Sequence, residues 1–176
     1  MDDDWLMNRS AAGDPRAFEE IVRRYERRLA RFAAGLLGGD DLAVDAVQEA
    51  FLRLWRGRGK FEACGKLSAY LYRLTHSTCI DIARRRRDDV DLTNAVDARA
   101  VDNTVAAAVD SAFVEAVAKA VLSLPDEQRV VFVLSCQEGL SYSEIAEVVG
   151  CPVGTVASRK RLAVQALRQV LAAWED

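Results

Sequence analysis

The sequence predicts an all-α protein of two small helical domains joined by an acidic linker, the second domain containing a helix-turn-helix. Three observations carry that prediction. Apolar residues recur at three- and four-residue steps through most of the chain, and no stretch alternates with the period of two that a half-buried strand needs. An aspartate-rich stretch from Asp88 to about Asn103 interrupts the periodicity. Further on, a Ser-x-x-Glu helix start at Ser141 and Glu144 leads to a tight Gly150-Cys151-Pro152 turn and then to the basic run Arg159-Lys160-Arg161. The expected units are residues 1–87, a linker over 88–103, and residues 104–176.

Each element has a local reason. Asp14 before Pro15 is an N-cap with proline at the first helical position, and Phe18, Ile21, Val22, Tyr25, Leu29 and Phe32 follow at helical spacing. Gly38-Gly39-Asp40-Asp41 breaks that helix. The next, from about Leu42 to Arg56, carries Val44, Val47, Phe51, Leu54 and Trp55 on one side. Gly57 to Lys66 reads as a loop with three glycines and three basic residues. A helix from about Leu67 to Arg86 has Leu67, Tyr70, Leu71, Leu74 and Thr78 along its core edge, Tyr70 included, and ends in four consecutive arginines. Helical pattern returns from Thr104 to Pro125 and again from Asp126 to Gln137. The capping box opens a short helix with Ile145, Ala146, Val148 and Val149 as its stripe. A last helix, from Pro152–Thr155 to about Trp174, buries Val156, Ala163, Ala166, Leu167, Val170 and Leu171. A second helix that is basic near its start is the arrangement with which a helix-turn-helix enters DNA.

Composition narrows the function. At 176 residues and 51% apolar content the chain can form two small cores. It has no apolar run long enough to span a membrane and an acidic N-terminus where a signal peptide would be basic, so no membrane insertion and a cytoplasmic location are expected. The net charge of −3 is unevenly spread, with +4 on residues 1–87, −6 on 88–118 and −1 on 119–176. Clustered cations can hold nucleic acid on an acidic protein, with modest affinity for free DNA. Cys64, Cys79, Cys136 and Cys151 form no C-x-x-C pair, and His76 with Cys79 is at most half a metal site. No metal, cofactor or disulfide framework is expected, and nothing assembles a catalytic group, so the chain reads as no enzyme.

Three segments together resemble a known family. "DAVQEAFLRLWRG" (Asp45 to Gly57), "KLSAYLYRLTHSTCIDIARRRR" (Lys66 to Arg87) and "LPDEQRVVFVLSCQEGLSYSEIAEVVGCPVGTVASRKRLA" (Leu124 to Ala163) are similar, in order and spacing, to extracytoplasmic-function sigma factors, which keep only sigma domains 2 and 4. The resemblance implies that the chain binds core RNA polymerase and directs initiation at promoters through their −10 and −35 elements. It implies a face for the beta-prime clamp at Asp45, Gln48, Glu49 and Leu52, and a further contact with the beta flap. It assigns −10 DNA to the Gly57–Lys66 loop and the following helix, through Lys60, Phe61, Lys66, Tyr72, Arg73, His76, Ser77, Asp81, Arg84 and Arg85. Tyr72 is expected there as an exposed aromatic face for single-stranded bases. The −35 element falls to Thr155, Ser158, Arg159, Lys160 and Arg161. An anti-sigma factor is the implied regulator. The chain departs from the family pattern at His76-Ser77, where relatives often have Arg-Asn, and at Leu162, where arginine is common and Arg161 stands one place early.

Two other readings remain open on the residues themselves. A helix-turn-helix regulator without a sigma role would share the second domain but needs a receiver or ligand domain in the first half. An enzyme or thiol sensor would rest on Cys79 and His76.

Overall fold

The structure, a computed structural model, describes residues 2–61, 65–92 and 108–172. All elements among the described residues are helical. They are α1 (Asp3–Ala11), α2 (Pro15–Leu37), α3 (Asp40–Gly57) with a 3-10 turn at Arg58–Lys60, and α4 (Leu67–Leu92) in the first unit. The second unit has α5 (Ala108–Ser123), α6 (Asp126–Phe132) running into a π turn (Val133–Gln137), α7 (Tyr142–Val149) and α8 (Val153–Leu171). Cys64 and most of the expected linker lie outside the described residues. The start of the expected linker does not: α4 carries on through Leu92, past the arginines.

The core of the first unit follows the apolar stripes. The Asp14 carboxylate accepts from the Arg16 N–H at 3.1 Å, and α2 ends where Gly38 takes a left-handed conformation. Ile21, Tyr25, Leu29 and Phe32 of α2 are buried with Ala46, Val47, Phe51 and Leu54 of α3 and with Leu67 and Leu71 of α4. Each large side chain fully removed from water contributes roughly 1.5–3 kcal/mol before the entropy of ordering is counted. Two α3 expectations shift. Val44 is exposed. Trp55 is half-buried, its ring edge on Phe18 at a centroid distance of 4.9 Å.

Helix α1 was not expected, and its acids are structural. Asp2 caps the helix at the Asp4 N–H. Asp3 accepts from the Tyr25 hydroxyl and pairs with Arg24. Both carboxylate oxygens of Asp4 accept from the Gly65 N–H, at 2.8 and 3.0 Å, which ties α1 to the loop before α4. The triplet that argues against a signal peptide is therefore a set of anchors, while Leu6 and Met7 complete the core beneath it.

In the second unit, Val130, Val131, Ile145, Val148, Val156, Ala163 and Leu167 are buried together. Val170 of α8, expected inside, is exposed. The side chain of Leu171 lies outside what is described.

The two units are in contact, and their buried residues form one continuous cluster. Helix α4 packs on α7, and α2 on α5, α6 and the π turn. Two glycines of α2 allow the approach. A Cβ at Gly35 would lie 3.3 Å from Val133 methyls and from Gln137 Oε1, and one at Gly38 would lie 3.0 Å from Leu122 Cδ1. Arg129 reaches back to donate to the Leu36 carbonyl at 2.9 Å, and Arg87 pairs with Asp126 at 3.0 Å.

The capping box of α7 is complete. Ser141 Oγ accepts from the Glu144 N–H, and the Glu144 carboxylate accepts from the Ser141 N–H at 2.8 Å. The Ser141 hydroxyl and N–H hold the Glu144 pKa below its usual value. Stabilisation from a carboxylate with a lowered folded pKa is present above its unfolded pKa and is lost as pH falls through the folded one. Ser141→Ala should therefore cost about 1 kcal/mol in denaturant unfolding at neutral pH. The gap from wild type should narrow as the pH is taken below the carboxylate range.

Candidate polymerase and nucleic-acid faces

On α3, residues 45, 48, 49 and 52 fall opposite the buried stripe. Asp45, Gln48 and Leu52 are exposed and Glu49 is half-exposed. Glu49 is not a bare charge, because Arg53 pairs with it at 3.0 Å and with Asp81 of α4 at 3.1 Å. Arg53 thus joins the face expected for polymerase to a residue expected to meet −10 DNA. Sequence spacing gives no signal of this bridge, since Arg53 and Asp81 meet only through the packing of α3 on α4.

Beside the 3-10 turn, a cleft of about 450 Å³ is lined by Gly57, Lys60, Phe61, Lys66, Ala69, Tyr70, Arg73 and Glu147. Its chemistry is cationic and aromatic. Phe61 and Tyr70 lie ring to ring at 5.2 Å, with the Arg73 guanidinium 5.2 Å from the Tyr70 ring centre. Arg58 stacks on Trp55 at 3.6 Å and donates to the Trp55 carbonyl, which fixes the turn. Tyr70, expected in the core, is half-buried and forms a wall of this cleft. Such an arrangement can stack a base while lysines and arginines meet phosphates.

One wall of the cleft comes from the other unit. Glu147 of α7 pairs with Lys66 at 2.8 Å. Deeper along α4, Tyr72 is wholly buried instead of presenting the expected open aromatic face. Its ring meets Phe32 edge-on at 5.3 Å, and its hydroxyl donates to Glu138 Oε2 at 2.6 Å. Burial and the neighbouring Glu138 carboxylate raise the Tyr72 pKa strongly, so the phenol stays protonated and donates. The Glu138 side chain has no exposed surface, and Arg28 and Arg31 approach it at 3.4 and 3.5 Å. The physical reason for the correction at Tyr72 is that α4 is covered on two sides, by its own core and by the second unit. Helical periodicity reveals only the first.

The remaining −10 candidates are spread along α4. Arg73, Ser77, Arg84 and Arg85 are exposed, as is Lys60 before the helix, whereas His76 and Asp81 are half-buried. Burial lowers the pKa of His76 and pushes the Cys79 thiol up to about 12. A neutral imidazole beside a protonated, buried thiol is not an activated nucleophile. Among the described residues no group of His, Cys, Asp or Glu is placed to hold a metal ion.

In the second unit, α7 and α8 make the helix-turn-helix, with Gly150 left-handed at the turn and Pro152 preceding α8. Ser158 is exposed, but its hydroxyl donates to the Thr155 carbonyl at 2.9 Å. Arg159 is paired with Glu127 of α6 at 2.5 Å. The Lys160 ammonium sits over the Tyr142 ring at 5.2 Å, and Arg161 is exposed. The three consecutive cations therefore differ in restraint. The residues that sequence reasoning missed (Arg28, Arg31, Arg53, Glu127, Glu138 and Glu147) all act through pairs distant in the chain.

Comparison with known proteins accords with this geometry. Residues 21–88 match the family profile Sigma-70 region 2, and residues 115–167 match Sigma-70, region 4. The RNA polymerase sigma-H factor of Pseudomonas aeruginosa is 32% identical over 96% of this chain and 93% of its own length. The ECF RNA polymerase sigma-E factor of Escherichia coli K12 is 30% identical over 89% of this chain and 87% of that one. Among solved structures, CnrH in complex with the cytosolic domain of CnrY superimposes with a TM-score of 0.76 at 27% identity, covering 97% of both chains. The sigma factor RpoE in complex with the anti-sigma factor NepR, from Bartonella quintana, gives 0.76 at 26%, covering 88% of this chain and 96% of that one. Two helical units in the order of regions 2 and 4, with full-length relatives, place the chain in its family: it belongs to the extracytoplasmic-function group of sigma-70-type sigma factors, which direct promoter-specific transcription initiation.

Proposed function

We propose how this sigma factor divides its work among its residues. Residues 1–87 act as sigma domain 2 and residues 104–176 as sigma domain 4, with 88–103 between them. Asp45, Gln48, Glu49 and Leu52 dock the beta-prime clamp of core RNA polymerase, and the second unit meets the beta flap. Lys60, Phe61, Lys66, Arg73, His76, Ser77, Asp81, Arg84 and Arg85 serve the −10 element, with Tyr72 joining them once its cover is removed. Thr155, Ser158, Arg159, Lys160 and Arg161 serve the −35 element. The observation that carries this reading is the cleft, where two aromatic rings and three cations (Lys60, Lys66 and Arg73) converge on a space of about 450 Å³. That is the chemistry needed to hold an unstacked base against its phosphates. A helix-turn-helix regulator without a sigma role leaves this cleft unexplained. The protein works where core polymerase and promoter DNA are, in the cytoplasm.

Regulation by an anti-sigma factor fits the same surfaces. A similar sigma factor has been captured in complex with one. Isolation of this factor from its host under non-inducing conditions should recover a stoichiometric protein inhibitor. Recovery of only free and polymerase-bound factor counts against that partner.

The clamp assignment is tested by charge reversal at Asp45 and Glu49. The double variant should bind core polymerase at least tenfold more weakly while its helical circular dichroism persists. Wild-type affinity would remove these residues from the interface.

The −35 assignment is tested by comparing Arg159 with Lys160. The planar guanidinium of Arg159 can bond guanine bidentately, and Glu127 already restrains it. In holoenzyme, Arg159→Ala should cost about 1–3 kcal/mol and relax discrimination at one −35 base pair. Lys160→Ala should weaken all promoters alike and reduce the salt slope by about one. A −35 variant library titrated at several salt concentrations reads both. An equal loss across the library for Arg159→Ala makes Arg159 an anchor and moves readout to Arg161.

A further inference from the structure

The second unit lies against the side of α4 assigned to −10 DNA, and the groups it brings there are acidic. Glu147 faces Lys66 across the cleft mouth at 2.8 Å. Glu138 takes the Tyr72 hydroxyl at 2.6 Å and sits between Arg28 and Arg31. Asp126 pairs with Arg87 at the far end of the same helix. Three carboxylates of one unit thus meet four arginine or lysine side chains and a tyrosine of the other, where a phosphate backbone would supply the same charge. Steric fit accompanies the charge, since the three atoms nearest a Cβ at Gly35 all belong to Val133 and Gln137 of the second unit.

We propose that this contact is a self-masking interface: the −10 face of the free factor is a docking surface for the chain's own second unit, whose Glu138–Glu147 edge stands in for promoter phosphates. The inference rests on the −10 reading of the cleft. Core polymerase and single-stranded promoter DNA then compete with an intramolecular ligand, and the factor binds DNA in earnest only after its units separate. The interface is suited to being opened. Glu138 Oε1 is buried without a hydrogen-bond partner, and its nearest cation is Arg31 at 3.5 Å. A buried carboxylate that is incompletely satisfied adds little net stability to the contact it makes. The Lys66–Glu147 and Arg87–Asp126 pairs are solvent-exposed and add little more.

The test uses the full chain with two opening variants, one on each unit. Glu138→Lys sets a third cation against Arg28 and Arg31, and Gly35→Leu drives a side chain into Val133 while favouring the α2 helix. Small-angle scattering of the free wild-type factor should give a radius of gyration near that of a compact 176-residue chain, about 16 Å. Each variant should be larger. Each should also bind a labelled single-stranded oligonucleotide, taken from the non-template strand of a promoter the holoenzyme uses, about tenfold more tightly, as expected if the closed form is about ninety per cent populated. If one variant loses its helical circular dichroism, the other decides. An already expanded wild type, folded variants that remain compact, or expanded variants with unchanged affinity would each overturn the proposal. A holoenzyme arm separates the two layers of the argument. Lys60→Ala with Arg73→Ala should weaken oligonucleotide binding by holoenzyme, and unchanged binding there overturns the −10 assignment and the masking with it, whatever the scattering shows.

Discussion

Glu138 is the residue around which the two units are organised. Its carboxylate is sealed from water, yet all of its partners (Tyr72, Arg28 and Arg31) come from the other unit. Removing an ion from water costs several kcal/mol even after the surroundings relax, and only good geometry with full hydrogen bonding returns that cost. Here one oxygen is well served by a 2.6 Å bond and the other accepts no hydrogen bond. The apolar packing around it, Val133 against Gly35 and Leu122 against Gly38, must supply the rest of the attraction. The result is a contact that specifies one relative orientation of the units while holding it with a small net free energy.

That balance bears on how an acidic protein works on DNA. The first unit carries a positive charge concentrated on α2, the loop before α4, and the end of α4, while the chain as a whole is at −3. Cations left open to solvent would attract any nucleic acid through counterion release, without regard to sequence. Pairing several of them with carboxylates of the second unit quenches that attraction locally. It leaves Lys60, Arg73, Arg84 and Arg85 exposed on the same side. Affinity is then drawn from several weak surfaces engaged together on a large partner, where effective concentration does the work that a strongly basic module would otherwise do.

The helices themselves were largely legible. Asp14-Pro15, Gly38, the Ser141–Glu144 capping box and Gly150 all fall at element boundaries because capping is a contest between neighbouring backbone groups and a nearby side chain. The cores followed from periodicity for the same local reason. The errors share a cause. Val44 and Val170 are exposed because three- and four-residue spacing marks a face without saying how far the neighbouring helix extends to cover it. The Asp2–Asp4 triplet was read by composition, whereas its roles depend on Arg24, Tyr25 and Gly65 arriving beside it. The π turn at Val133–Gln137, inside an expected continuous helix, was equally beyond spacing rules.

By itself, the sequence determined the all-helical class, the order of the two units, the helix-turn-helix and the residue types of the cleft. All of these rest on interactions a few residues long or on the resemblance of whole segments. Only the tertiary structure decided that Tyr72 lies inside, that Glu49 and Asp81 share Arg53, that Glu127 holds Arg159, and that Glu138 and Glu147 close over α4. Local sequence fixes which side of a helix is apolar. Which charged side chain from far along the chain comes to rest on its polar side is set by the close approach at Gly35 and Gly38, and that is a property of the packed molecule.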